Sequence, residues 1–530
     1  MTSSTLSSRH EADRGSVLRP LLGLLLVLFV SMISATVVST ALPRIIGALN
    51  GSQTQYTWVV TATLLTATAS TPIWGKLADL YSKKVLVQVA ISIFLVGSLL
   101  SGFSQDAGQL IAARAFQGLG VGGLQALVQT IIAAMIPPKE RGRYNGLLGA
   151  VMAVATVSGP LLGGLITETS WMGWRWCFFI GVPFAALSLI VLQRSLHLPV
   201  VRDRDDVQVD YVGATLLAAG VSLLLIWVTF VDSSFDWVSW QTAAMVGAAL
   251  VILAVAVWWE SRVAEPVLPL AVIRQPAPAL AILASLAVGM AMFGGAVFLG
   301  QYFQVSRGYT PTEAGLLMIP MMLGTLVSST VSGLVVSRTG KLKAQIVAGT
   351  VILVAGFGVL STLKHDTSLL IVFAGLATMG IGVGMSMQNL VLAVQNTVAL
   401  RDVGAASASI TFFRSLGGTI GISVLGAVLA NRVSADIAKG LQEAGVPASA
   451  SGGASNLNLD ALPAPIRTIV ETAYGDATGH IFLISTAIAV VGVIAALLLK
   501  PAPLRTTLDM EKPAETEPAG PEETEPAKQD

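Results

Sequence analysis

A succession of apolar runs, each about as long as a bilayer is thick, leaves this chain few ways to fold. A hydrocarbon core asks for about 20 consecutive apolar residues per helix. On that template spans fall at roughly 20–42, 56–75, 85–104, 108–136, 145–167, 175–194, 210–230, 241–259, 278–303, 312–336, 344–363, 369–395, 404–429 and 480–499, fourteen in all. In lipid the backbone must satisfy its own hydrogen bonds, so such runs become helices. Charged residues make up 12% of the chain, about half the share of a soluble protein. The sequence predicts an all-α polytopic membrane protein. The first run is too long for the apolar part of a cleaved leader, about 7–15 residues, and reads as a retained span.

The polar remainder narrows the function. The connections are short and leave no room for a soluble catalytic domain. The exception is 430–479, which reads as a long loop of Gly, Ser, Ala and Pro. The tail 500–530, rich in Pro, Glu and Thr, reads as disordered. A single cysteine, Cys177, excludes an internal disulfide. The four histidines show no ligand spacing, so neither a metal nor a cofactor is expected. No nucleophile–base pair is apparent, which argues against an enzyme. No G-x-x-x-x-G-K-[ST] loop occurs, which argues against an ATP-driven pump. A net charge of +1 gives no reason to expect nucleic acid.

Basic residues orient the spans. With both termini in the cytoplasm, the inside turns hold Lys76, Lys83, Lys84, Lys139, Arg141, Arg143, Arg194, Arg202, Arg204, Arg262, Arg274, Arg338, Lys341, Lys343 and Arg401, besides those of the tails. Fewer lie outside: Arg44, Arg175, Arg307, Lys364, Arg432, Lys439 and Arg467. The loop 430–479 then lies outside. Arg114 and Arg414 fall within or near the edge of spans.

From Arg114 to Gly164 the chain reads RAFQGLGVGG, an apolar run, PPKERGR, and a second run ending GPLLGG. Small residues at this spacing let membrane helices approach closely, and a charge at membrane depth usually faces a cavity or a partner. The stretch has a double. QGLGVGG (117–123) matches MGIGVGM (379–385), GKLADLYSKK (75–84) matches GLVVSRTGKLK (333–343), and GPLLGG (159–164) matches SLGGTIG (415–421), all near 260 residues apart. The spans therefore divide into two six-helix halves, 20–194 and 278–499. Two inserted helices lie between them in 195–277, and the tails are 1–19 and 500–530. Two such halves are a known transporter construction, with substrate near the midplane between them.

These residues resemble the major facilitator superfamily, and more narrowly its fourteen-spanner drug:proton antiporters. The loop motif G-x-L-a-D-r-x-G-r-k appears as Gly75, Leu77, Ala78, Asp79, Lys83 and Lys84. The span-4 motif R-x-x-q-G-x-g appears as Arg114, Gln117, Gly118 and Gly120. The antiporter motif of span 5 appears as Gly159, Pro160, Gly163 and Gly164. ALPRI (41–45), WRWCFF (174–179), EPVLPL (265–270) and GYTPTEAG (308–315) are similar too. The resemblance implies a major facilitator fold, alternating access by rocking of the halves, and efflux driven by protons. It implies a charge latch at Gly75, Asp79, Lys83 and Lys84. Gly159-Pro160 would allow a bend, and Gly163 and Gly164 close packing.

One departure stands out. The drug antiporters carry an acid in span 1, in L-D-x-T-I-V-N-V-A-L-P. Here ISATVVSTALP (33–43) has Ser34 in its place and Ser39 in place of the Asn. A serine carries no proton near neutral pH. Arg114 stays protonated in practice and can only hold polar partners. The expected buried polar and coupling set is Arg114, Gln117, Ser34, Glu313 and Arg414, with Glu168, Asp210 and Glu260 as further acids at span ends. The expected substrate cavity holds Thr36, Gln125, Gln129, Tyr302, Gln304, Gln388 and Asn389. Without a deep acid, the substrate shades toward neutral or amphipathic hydrophobic compounds. The partners are then a small molecule, protons and the lipid of a bacterial inner membrane, with the protein a monomer. Two other functions fit the same pattern: export of one endogenous antibiotic, lipid or metabolite, and a non-transporting membrane sensor.

Overall fold

The computed structural model describes residues 3–50, 53–169, 172–198, 210–231, 235–263, 265–268, 270–399, 402–444 and 463–505. Among them the chain is helical almost throughout. In order the helices are α1 (Ser3–Ala48), α2 (Gln53–Leu80), α3 (Lys83–Phe103), α4 (Ala107–Met135), α5 (Pro138–Glu168), α6 (Trp176–Phe179) and α7 (Val182–Ser195). Then follow α8 (Tyr211–Phe230), α9 (Trp240–Glu260), α10 (Leu270–Ile273), α11 (Pro276–Gln301), α12 (Pro311–Leu317), α13 (Ile319–Thr339), α14 (Leu342–Leu360), α15 (Leu369–Gln395), α16 (Val403–Glu443) and α17 (Ala464–Leu498). A π-helical turn, Tyr302–Ser306, extends α11.

Every predicted span coincides with helix, but not all meet the requirements for crossing a bilayer. By length and composition eleven described helices do, and Pro276–Met290 in α11 is a shorter apolar stretch. Three boundaries differ from the sequence reading. α1 begins at Ser3, well inside the expected tail. The expected loop 430–479 is helical at both ends, because α16 runs to Glu443 and α17 starts at Ala464. At 41 residues, α16 is about 60 Å long, twice the hydrocarbon thickness, so it extends beyond the membrane. An apolar stripe of Leu425, Leu429, Val433, Ile437 and Leu441 on α16 packs with Val470, Ala473 and Ala477 of α17, which keeps both helical past their apolar cores. The middle of the loop, 445–462, and the tail beyond residue 505 lie outside the described residues.

The helices pack in two groups. α4 crosses α2 and α3, and α1 lies on α5 and α7. α15 crosses α13 and α14, and α11 lies on α16 and α17. The crossings repeat residue by residue. A β-carbon at Gly118 would meet the Thr63 carbonyl, one at Gly120 the backbone of Ala90 and Phe94, and one at Gly122 the Ala67 carbonyl. Gly380, Gly382 and Gly384 stand in the same relation to Met321, Leu353 and Thr325. Thr63 donates to the Arg114 carbonyl at 3.2 Å, and Thr325 to the Gly380 carbonyl at 3.1 Å. Backbone-to-backbone contact at these points excludes any side chain larger than hydrogen. α8 and α9 pack on each other, and α8 also touches α2 and α16.

Candidate functional site

The two groups meet along α2–α16 and along α5 with α12 and α13, and the polar contacts of both seams gather at the end of the bundle that carries the basic turns. Asp79, in the last turn of α2, is buried there. Its Oδ1 accepts from the Gly404 N–H at 2.8 Å and its Oδ2 from the Ala405 N–H at 2.7 Å. Both donors belong to the first turn of α16, whose N–H groups have no intrahelical acceptor. One carboxylate from the other group thus fills that vacancy and meets the positive end of the helix dipole. Gly75 lets the helices touch: a β-carbon there would strike Ala408 Cβ and the Gly404 carbonyl.

The same contact recurs on the other side. Gly333 of α13 lies against the Gly142 carbonyl of α5, and Gly146 against that of Ser329. The repeat puts Ser337 where Asp79 stands, so only one side carries a carboxylate. Around both seams run further polar contacts. The Arg141 guanidinium donates to the carbonyls of Ile136 (2.6 Å) and Ala133 (2.5 Å) and to Gln395 Oε1 (3.3 Å). Gln395 in turn donates to Ser407 Oγ at 2.9 Å. Gln129 of α4 donates to Gln388 of α15 at 3.0 Å. After α17, Arg505 donates to the carbonyls of Gln395, Asn396 and Val398, and its own carbonyl accepts from the Lys139 N–H at 3.0 Å. That strap joins the two groups at the same end. Sequence reasoning missed it, since a lone Arg in a Pro-rich segment carries no signal.

Of the expected latch residues, Gly75 and Asp79 meet in this seam and Lys83 is buried beside Asp79. Lys84 does not join them. It donates to the Gln193 carbonyl of α7 at 2.7 Å, because it lies one residue further round α3. Lys76, which the sequence places among the inside charges, pairs with Glu265 at 2.5 Å and ties α2 to the segment after α9.

Arg114, only 3% exposed, donates to Gln117 Oε1 at 2.6 Å. Gln117 donates to Ser98 Oγ at 2.7 Å and Ser34 Oγ at 3.3 Å. Ser34 therefore sits one hydrogen bond from the guanidinium's partner. Among the described residues no carboxylate pairs with Arg114, and its Nε has no acceptor. Arg414, buried in α16, likewise pairs with no carboxylate there and leaves Nη1 without an acceptor.

The rest of the expected cavity set disperses. Gln129 and Gln388 face each other across the groups, with half-buried Gln125 one turn away on α4. Thr36 is packed between α1 and α5, where a β-carbon at Gly159 would strike its hydroxyl. Asn389 is held by Ser332 Oγ and the Met385 carbonyl, both at 2.7 Å. Tyr302 is buried in the π-turn and donates to the Lys364 carbonyl at 2.9 Å, and Gln304 is exposed beside it. Both lie away from the seam, because the π-turn stands at the far end of α11. Glu313 is no buried coupling acid. It is exposed and closes a capping box, accepting from the Thr310 N–H at 2.8 Å while Thr310 Oγ1 accepts from its own N–H. α5 runs unbroken through Gly159-Pro160. The side chains of Pro160 and Glu168, and Gly164, lie outside what is described.

Two repeated helix groups meeting at one end through a buried carboxylate and facing glycines define a polytopic membrane transporter. The Major Facilitator Superfamily model matches residues 24–422, and the chain belongs to that family. It is 35% identical to an uncharacterized MFS-type transporter of Mycobacterium tuberculosis, over 88% of this chain and 67% of that one. It is 31% identical to the multidrug transporter protein MdtP of Bacillus subtilis, over 91% and 93%. Among solved structures, the proton:xylose symporter XylE shares the fold, with a TM-score of 0.63 at 13% identity, covering 93% of this chain and 98% of that one.

Proposed function

We propose that this chain is a secondary exporter of hydrophobic or amphipathic small molecules, of the fourteen-spanner drug:proton antiporter type. One observation carries the reading. Asp79 holds the N-terminus of α16 across the seam, so the end sealed by that contact opens when two hydrogen bonds and the glycine contacts part. Such an interface has two arrangements, which is what alternating access asks of it. The positive-inside rule puts the sealed end, with its basic turns, in the cytoplasm. The seal then corresponds to a state closed to the cytoplasm. Two six-helix halves with α8 and α9 inserted between them make the fourteen spans, and a monomer holds all the parts. The similarity to a multidrug transporter supports the export direction.

The interior charge bears on substrate. Arg114 and Arg414 are buried with no carboxylate partner among the described residues, and Ser34 stands where the related antiporters have an acid. A monocation entering such a site gains no counter-charge and meets repulsion in a low dielectric. Neutral amphiphiles are therefore the favoured cargo. The test is efflux from expressing cells of a neutral, a monocationic and an anionic dye of matched size. Export of the neutral dye at several times the rate of the monocation is expected. Preference for the monocation would contradict the charge argument. Export of none would favour a dedicated endogenous substrate or a non-transporting protein.

A further inference from the structure

The inserted helices carry a pair of carboxyl groups that the seam does not use. Asp210 caps α8: its Oδ1 accepts from the Gly213 N–H at 2.8 Å and from Trp259 Nε1 at 3.0 Å. Its Oδ2 is buried and accepts nothing among the described residues. Glu260 ends α9 and is 2% exposed. Its Oε2 accepts from the Leu268 N–H at 3.3 Å, while Oε1 is buried without a partner among the described residues. The two orphaned oxygens border the same space beside Gly213: a β-carbon built there would strike Asp210 Oδ2 and lie 2.8 Å from Glu260 Oε1.

With both groups ionised, two lone-pair oxygens would be buried unmet and two like charges would face each other. Among the described residues no uncommitted cation relieves them. Lys76 of α2 faces Glu260, but Glu265 engages it at 2.5 Å. A metal fits poorly, since no group of three or more His, Cys, Asp or Glu gathers among the described residues. Oxygen-seeking cations take about six or more ligands. A single proton meets the need of both oxygens: one carboxyl donates its O–H to the other, which remains a carboxylate.

We propose that Asp210 and Glu260 form a proton-binding site that holds one proton between Asp210 Oδ2 and Glu260 Oε1. Water supplies and receives the proton, and no electron moves. The site is joined to the latch helix. The segment after Glu260 carries Glu265 to Lys76, three residues before Asp79, and Val267 and Leu268 share an apolar cluster with Ile73 of α2. Among the described residues the charged group that faces Glu260 from a neighbouring element is Lys76 of α2, itself held by Glu265; Arg262 lies over the Trp258 ring. With the proton bound, Lys76 stays with Glu265. Loss of the proton places a second negative charge near Lys76, draws the ammonium toward Glu260 and loosens the grip on α2. This effect on the latch rests on the exporter reading; the proton site itself does not.

The test is infrared difference spectroscopy of the purified full-length protein in lipid nanodiscs, titrated from acid to alkaline pH. A protonated-carboxyl C=O band that is lost on titration is expected in the wild type. It should be absent in Asp210→Asn and in Glu260→Gln, since each amide supplies the missing hydrogen bond and leaves the other acid ionised. A band retained in both variants overturns the site, and one lost in a single variant overturns the sharing. Should Asp210→Asn fail to fold, Glu260→Gln decides alone, because it keeps the size of the side chain and leaves the α8 cap intact. Reconstituted transport supplies the second readout. Wild-type rate is expected to vary with cytoplasmic-side pH and the Glu260→Gln rate to be flat. An unchanged pH profile overturns the link to the latch. A lost band with no transport of any dye by the wild type leaves the proton site standing and removes the exporter reading.

Discussion

At Asp79 a single carboxylate does the work of two caps. Each of its oxygens takes one N–H of α16, and charge-assisted hydrogen bonds of this kind contribute about 1.5–3 kcal/mol each. Asp79→Asn keeps one acceptor but turns an NH2 toward the second N–H. The sealed state should weaken by about 2 kcal/mol, roughly 30-fold in the equilibrium between states, and efflux at equal expression should fall. Wild-type rates in that variant would remove the latch. Ser34 offers the reverse experiment. An aspartate there comes within one hydrogen bond of the Gln117–Arg114 pair and supplies a carboxylate to the buried guanidinium. Ser34→Asp should raise efflux of a monocationic dye relative to a neutral one, measured side by side in cells; an unchanged ratio would mean that position 34 does not see the substrate. The sequence displays Asp79, Arg114 and Gln117 because acid and guanidinium stand out in lipid-fit segments. It does not display the Asp210–Glu260 contact, because two acids 50 residues apart at span ends read as solvated until α8 and α9 are packed.

Between helices, the decisive quantity is backbone approach. Gly75 and Gly333 leave no room for a β-carbon against Gly404 and Gly142. Overpacking of this kind costs about 1–3 kcal/mol, and here it acts only on the sealed state. Gly333→Ala should therefore hold the basic end open. A cysteine placed at Gln388, with Cys177→Ser to silence the native thiol, should label faster from that side; equal labelling would show that the seam does not gate access. The Arg505 strap acts in the same sense. Arg505→Ala loses the donors to three carbonyls at the end of α15 that hold in place the segment whose carbonyl takes the Lys139 N–H, so opening should quicken several-fold in the same assay, and slower labelling would contradict this. The paired glycine motifs 118–122 and 380–384 make the repeat legible in the sequence, since each glycine answers one helix crossing. The length of α16 is not legible there. Its outer turns are polar and rich in small residues, and only the stripe from Leu425 to Leu441 against α17 makes them helix.

For the molecule as a whole, the sequence pattern conveys the fold and the junction conveys the working part. Apolar runs of bilayer length specify helices. The repeat near 260 residues specifies two groups. The cavity does not follow, because polarity alone cannot tell Gln388, which bridges the groups, from Tyr302, which is buried in a π-turn. On the exporter proposal, the sealed bundle exports a neutral amphiphile at the expense of a proton gradient. The proposal's most direct test is efflux of a preloaded neutral dye from expressing cells, followed with and without a protonophore. Rapid efflux that collapses when the protonophore is added is the expected result. Efflux that persists unchanged once the gradient is gone would contradict it.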